Sequence, residues 1–259
     1  MEKPVLYKVE DAVATITLNR PDAMNTIDWE LPKEVARLLA ETDKDGNVRA
    51  IVITGAGRAF CAGGDLSVLK ALTTPAERHE FIAVGGRMAQ MIRSVGKPVV
   101  AMVNGVAAGA GFNIALASDM VVCTTKARFA QSFAGVALVP DLGGHYMLPR
   151  LIGLHKAKEL MFLADLINAE EAYRLGLVNY VVEESQLAEK TYAIAKRLAA
   201  GPPLALQFIK SALNHSFDSS WNAMLEEETT HQALCLCTED HQEGVKAFFE
   251  KRPPQYTGR

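Results

Sequence analysis

A chain of 259 residues, 49% hydrophobic and 22% charged, is long enough to bury a substantial core in one large domain or a domain with an appendage. Its formal charge of −3 gives no basic field for nucleic acid, and no apolar run approaches the ~20 residues that a membrane span needs. The cysteines at 61, 123, 235 and 237 are too few and too scattered for a disulfide framework, and Cys235-x-Cys237 lacks the second Cys/His pair of a zinc site.

The opening Met1-Glu2-Lys3-Pro4 lacks the basic-then-apolar order of a secretion signal, so a cytoplasmic location is expected. Residues 5–9 and 13–18 alternate apolar and polar side chains across Glu10-Asp11-Ala12, the pattern of a β-hairpin, which Arg20-Pro21 ends. Leu31, Val35, Leu38 and Leu39 recur at helical spacing and predict a helix over 31–40, followed by a turn at Lys44-Asp45-Gly46-Asn47. The apolar run 50–54 predicts a strand. It leads to the turn Phe60-Cys61-Ala62-Gly63-Gly64-Asp65-Leu66, a helix over 66–72, a break at Thr73-Thr74-Pro75 and a long helix over 76–94. Strand 99–103 leads to a second Gly/Ala turn, Asn104 to Gly111, which opens a short helix through Ala117, and 120–123 predicts another buried strand. Strands alternating with helices favour a parallel sheet and place the chain in the α/β class.

From about residue 185 the pattern turns helical, over 185–200, 204–217, 220–237 and 239–251, with Gly201-Pro202-Pro203 as a break and Thr238 as an N-cap. The chain thus divides into a core over 1–200 and a helical region over 201–259. Trp221, Met224, Leu225, Leu234, Phe248 and Phe249 crowd that region. Burial in the core accounts for most of them on one reading, and packing on a neighbouring subunit on the other.

Each Gly/Ala turn leaves backbone N–H groups unpartnered at a helix start, so two of them side by side could hold one developing oxyanion. That points to chemistry on a carbonyl, although tight turning at Gly63 and Gly64 and close packing at Gly109 and Gly111 would explain the glycines singly. There is no G-x-G-x-x-G after a strand, no G-x-x-x-x-G-K-[ST], no H-E-x-x-H and no G-x-S-x-G, and the histidines do not cluster. Asp141 stands in an otherwise apolar stretch, Leu138-Val139-Pro140-Asp141-Leu142-Gly143-Gly144. It is either a turn-capping aspartate or an acid/base, and burial against Leu138, Val139 and Leu142 would favour its neutral form. His145 reads as a packed or exposed polar residue.

Arg58 to Leu66, Lys97 to Gly111, Leu138 to Gly144 and the closing Gly244-Val245-x-Ala247-Phe248 to Lys251-Arg252-x-Pro254 resemble the enoyl-CoA hydratase/isomerase (crotonase) superfamily over nearly the whole chain. The resemblance implies a spiral of β-β-α turns with a C-terminal helical region for oligomerisation, as a homotrimer or a dimer of trimers. It also implies acyl-CoA thioester substrates, with coenzyme A as part of the substrate and no tightly bound cofactor. It puts the two oxyanion donors at the backbone N–H groups of Gly64 and Ala110. The adenine would lie near Ala62, Asp65 and Leu66 and the phosphates near Arg20, with Ala23 also on the CoA and Phe248 and Lys251 contributed by a neighbour. Where the family's hydratases carry two glutamates that activate and deliver water, this chain has Asn113 and Phe133, neither of which transfers a proton in that way. The match is nearest to the branch of 1,2-epoxyphenylacetyl-CoA and enoyl-CoA isomerases, where an acid at the place of Asp141 is the base. Hydration by another placement of water and an inactive CoA-ester-binding subunit stay open as alternatives.

Overall fold

The computed structural model describes residues 3–259, so Met1 and Glu2, part of the stretch read for a secretion signal, lie outside the described residues. Strands β1 (Val5–Glu10) and β2 (Val13–Leu18) form the expected antiparallel hairpin. Its two-residue turn holds Asp11 and Ala12 at φ 50° and 59°, the mirror-image turn whose twist matches the flanking strands. Helix α1 (Leu31–Lys44) outlasts the predicted 31–40 because its buried face continues through Thr42, a polar residue that an apolar pattern misses.

Three turns of one spiral follow. The first is β3 (Ala50–Gly55), β4 (Ala59–Cys61), α2 (Leu66–Ala71) and α3 (Pro75–Ser94), and the second is β5 (Val99–Val103), β6 (Val106–Ala108) and α4 (Ala110–Ala117). The third is β7 (Met120–Thr124), β8 (Arg128–Ala130) and α5 (Gly144–Ile152). The long strands stack as a sheet in the order β1-β2-β3-β5-β7 and the short ones as a second sheet, β4-β6-β8. Within each stack β3, β5 and β7, and β4, β6 and β8, run parallel. Elements beyond these had no counterpart in the sequence pattern: α6 (Leu154–Leu163), β9 (Ile167–Asn168), α7 (Ala169–Arg174) and β10 (Tyr180–Val182), with β9 and β10 closing the small and large sheets. The core lies between the sheets and the helices packed on them, where Phe60, Phe112, Phe129, Ile51, Ile53 and Met88 are fully buried.

The C-terminal helices are α8 (Leu187–Ala199), α9 (Pro203–His215), α10 (Trp221–Leu236) and α11 (Glu239–Glu250), the last capped by Thr238 as expected. Helix α8 packs on the large sheet, but α9 and α10 bury no residue within the chain. Trp221, Phe248 and Phe249 remain 76%, 79% and 77% exposed, so the core does not account for them. Two polar fastenings tie this layer to the spiral. Lys210 Nζ meets the Asp119 carboxylate at 2.8 Å and donates to the carbonyls of Ile92 and Lys97 at 3.1 Å each. The chain's last residues are gripped from both sides: Arg49 donates to the carbonyls of Tyr256 and Thr257, while the Asp240 carboxylate accepts from Thr257 N and Gly258 N. Among the described residues no helix is long and apolar enough to cross a membrane.

Candidate active site at the carboxyl edge of the small sheet

The two Gly/Ala turns leave from adjacent parallel strands, which is why they lie together. Cys61 at the end of β4 is opposite Ala107 in β6, so the chain exits both strands at the same edge, the edge where parallel sheets gather ligands. Ala62 N donates to Met24 O at 3.0 Å, Ile27 N to Gly63 O at 2.8 Å and Asp65 N to Ile27 O at 2.9 Å. That last pair is a parallel bridge between Ile27 and Gly64, in which Gly64's own N–H points away from Ile27. Among the described residues this N–H has no acceptor.

The second turn is fastened in a similar way. Gly109 N donates to Ala130 O at 2.8 Å, and Gly109 takes φ 53°, ψ −123°, a conformation that glycine supplies at little cost. The following amide, Ala110 N, starts α4 and is likewise unpartnered among the described residues. A Cβ on Gly63 would lie 3.1 Å from Ala108 O and 3.8 Å from Ala110 N, so the turns are in van der Waals contact. A Cβ on Gly111 would fall 2.0 Å from Cys61 O, which requires glycine for α4 to seat against β4. Two backbone N–H groups on touching turns are thus left unspent among the described residues, one of them at a helix N-terminus.

Asp141 sits between η-like turn 134–136 and α5, in a four-residue reversal closed by Gly144 N donating to Asp141 O at 2.8 Å. Leu142 and Gly143 both take positive φ, 47° and 82°, and for a leucine that is strained backbone. The reversal is held from two sides. Leu142 is buried against Gly85, where a Cβ would come within 2.9 Å of Leu142 Cδ1. Asn113 Nδ2 donates to Asp141 O at 2.9 Å, and the Asn113 Oδ1 accepts from Gln131 Nε2 at 2.8 Å. Burial pushes the Asp141 carboxyl up to about 6, and its Oδ1 is buried without a hydrogen bond. The expected source of that burial is corrected in part: Leu142 is buried, but Leu138 and Val139 are 47% and 72% exposed.

Other expected residues are placed as follows. Ala23 is half-buried in a short turn, Pro21–Ala23, whose neighbours Met24 and Asn25 bring it beside Ala62 through the Ala62–Met24 bond and the Asn25 amide on Ala56 O and Ala59 O. Asp65 caps α2 and Leu66 projects from it, exposed. Arg20 is not a free cation: it pairs with Asp28 at 3.2 Å and Asp65 at 3.1 Å and also donates to the Thr26 carbonyl and hydroxyl. A phosphate there would have to compete with two carboxylates. Phe248 and Lys251 sit on α11 and just past its end, where Phe248 lines a groove with Pro202, Leu204 and Cys235, so one chain alone does not bring them to the turns. Phe133 is buried with its ring 3.6 Å from where a Gly109 Cβ would be, and His145 is exposed. Cys61 is no nucleophile, since burial pushes its thiol up to about 12. Gln131 gives little signal in the sequence, where it directly follows the short run Arg128-Phe129-Ala130.

Comparison with known proteins bears directly on this geometry. The family model for enoyl-CoA hydratase/isomerase matches residues 8–259. The 1,2-epoxyphenylacetyl-CoA isomerase of Escherichia coli (strain K12) is 36% identical over 258 residues, covering 98% of each chain. The short-chain-enoyl-CoA hydratase of Clostridium acetobutylicum is 37% identical over 249 residues, covering 96% of this chain and 95% of that one. Among solved structures, an enoyl-CoA hydratase from Bacillus anthracis superposes with a TM-score of 0.95 at 32% identity, covering 99% and 100% of the two chains. The spiral of β-β-α turns is thus the crotonase fold, and the chain belongs to the enoyl-CoA hydratase/isomerase family.

Proposed function

We propose that this protein is an enoyl-CoA isomerase that moves a double bond in an enoyl-CoA or ring-derived acyl-CoA thioester. The Asp141 carboxylate removes a proton from the carbon α to the thioester of a 3-enoyl substrate. The electron pair delocalises onto the thioester oxygen, held by Gly64 N–H and Ala110 N–H. The neutral Asp141 then returns the proton to the γ carbon, two carbons away, leaving the 2-enoyl thioester. One donor of this kind is worth ~2.7–4 kcal/mol in a transition state.

The observation that carries this reading is the environment of the acid. Asp141 is half-buried with its Oδ1 fully covered, has no cation paired with it among the described residues, and is raised to about 6, which brings its basicity close to a neutral working pH. The positions at which the resemblance places a hydratase's glutamates hold an amide already committed to Gln131 and Asp141, and a phenyl ring. Neither activates water. The adenine is read as lying near Ala62, Asp65 and Leu66, with Ala23 beside them on the CoA. The exposed aromatics of α10 and α11 are read as the contact between subunits of a homotrimer or a dimer of trimers, the arrangement that would bring Phe248 and Lys251 of a neighbour to the CoA.

Hydration of a 2-enoyl-CoA is the second reading, favoured by the relatives named as hydratases. Two substrates separate them by absorbance of the conjugated thioester. A 3-enoyl-CoA should gain that absorbance with this enzyme, and crotonyl-CoA should keep it. Loss of absorbance from crotonyl-CoA at the faster rate overturns the isomerase reading, and Asp141→Asn should abolish turnover while CoA-ester binding persists.

A further inference from the structure

We propose that Asn113 and Gln131 are positioning residues that aim the Asp141 carboxyl at the substrate, acting as one hydrogen-bonded relay from strand β8 through helix α4 to the catalytic reversal. This deepens, and rests on, the reading of Asp141 as the base.

The polarity of the relay follows from its last member. The Asp141 backbone carbonyl only accepts, so Asn113 must face it with Nδ2. Its Oδ1 is then turned to Gln131, which must answer with Nε2. Both amides are fully buried, and Gln131 Oε1 is left without a partner among the described residues. A site that only needed filling would be served better by apolar side chains, because an orphaned buried acceptor is unfavourable.

What the relay holds is a backbone that would not stay in place alone. The reversal carries Leu142 at φ 47°, and Gly144 lacks a side chain where a Cβ would come within 2.5 Å of Asn113 Nδ2. The Asp141 carbonyl accepts from Gly144 N and Asn113 Nδ2 together, whereas Oδ1 of its side chain has no hydrogen bond. The carboxyl is therefore aimed through its own main chain. The same scaffold sets the other half of the site. Asn113 stands three residues after Ala110 on α4, and Gln131 follows Ala130, whose carbonyl fixes Gly109. Base and oxyanion donor are thus referenced to one helix and one strand end, which keeps their separation constant.

The test uses the full chain, a 3-enoyl-CoA substrate and steady-state kinetics against pH. Asn113→Ala should lower kcat by about 10- to 100-fold, with KM for the thioester changed less than about twofold. Gln131→Leu should lower kcat in the same direction, and the double variant should be no worse than the poorer single one, the non-additivity of a shared device. Asn113→Asp, nearly the same shape, covers the case in which Asn113→Ala does not fold. It sets a second carboxyl beside Asp141, so the acid limb of kcat/KM should move to higher pH, a shift that a loss of packing alone would not produce. Unchanged kcat in folded Asn113→Ala, or an unmoved acid limb in Asn113→Asp, overturns the relay. Asp141→Asn in parallel separates the two readings. If it is inactive while the Asn113 variants behave as wild type, only the relay falls. If it stays fully active, Asp141 is not the base and both fall.

Discussion

The covered carboxyl of Asp141 makes the stability of the fold depend on pH. Its folded value near 6 lies above the 3.8 of an unperturbed aspartate, so between those values the unfolded chain ionises first and the fold weakens as pH rises through the window. Above pH 6 the full penalty, about 2–3 kcal/mol, is present, and below pH 4 it is gone. Asp141→Asn should therefore melt at a higher temperature than wild type at pH 7–8 and at the same temperature near pH 3.8, read by calorimetry across that range. With Asp141 as the proposed base, wild-type kcat/KM should show an acid limb near pH 6, rising toward neutral pH as the base form appears. A flat profile between pH 5 and 7.5 would remove Asp141 from the proton transfer. An acid in an apolar stretch was readable from the residues themselves. What covers it was not, because composition does not say which neighbours in a loop end up buried: Leu142 does, while Leu138 and Val139 stay 47% and 72% exposed. Asn113 was readable as a departure from the hydratase pattern, but its bond to the Asp141 carbonyl depends on a reversal 28 residues away.

At the scale of elements, the site depends on glycines where two backbones cross. Gly111→Ala would drive a methyl group to 2.0 Å from Cys61 O, a backbone atom that cannot step aside. The expected result is loss of folded protein or a steeply lowered Tm, by the overpacking route. Gly109→Ala is different, since the nearest atoms are the Ser132 hydroxyl and the Phe133 ring at 3.3–3.7 Å but the backbone is in the left-handed half of conformational space. Relaxing it turns the Ala110 N–H, and kcat should fall by about 10²–10³ as for a lost oxyanion donor, with a smaller effect on Tm. The longer strands and the helices before residue 123 were legible because their apolar patterns run over five residues or more. The three-residue strands β4, β6 and β8 were not, being shorter than any period can register, although they decide that the two turns meet. Arg20 likewise reads as a free cation until the fold brings Asp28 and Asp65 to it.

For the whole molecule, the exposed aromatics of the C-terminal layer predict an assembly. Light scattering after gel filtration should give the mass of a trimer or a dimer of trimers, and a Trp221→Asp/Phe249→Asp double variant should shift it toward the single chain while leaving the spiral's circular dichroism intact. A wild-type monomer at micromolar concentration would refute the subunit contact. The proposed division into a core over 1–200 and a helical region over 201–259 has a mechanical test at the chain's end. Because Arg49 and Asp240 hold residues 256–258 between them, the tail works as a rivet through both layers, and the two should come apart in one step on heating. Deleting 256–259 leaves the Asp240 carboxylate without the amides that donate to it, and a scanning calorimeter should then record two separate endotherms in place of one.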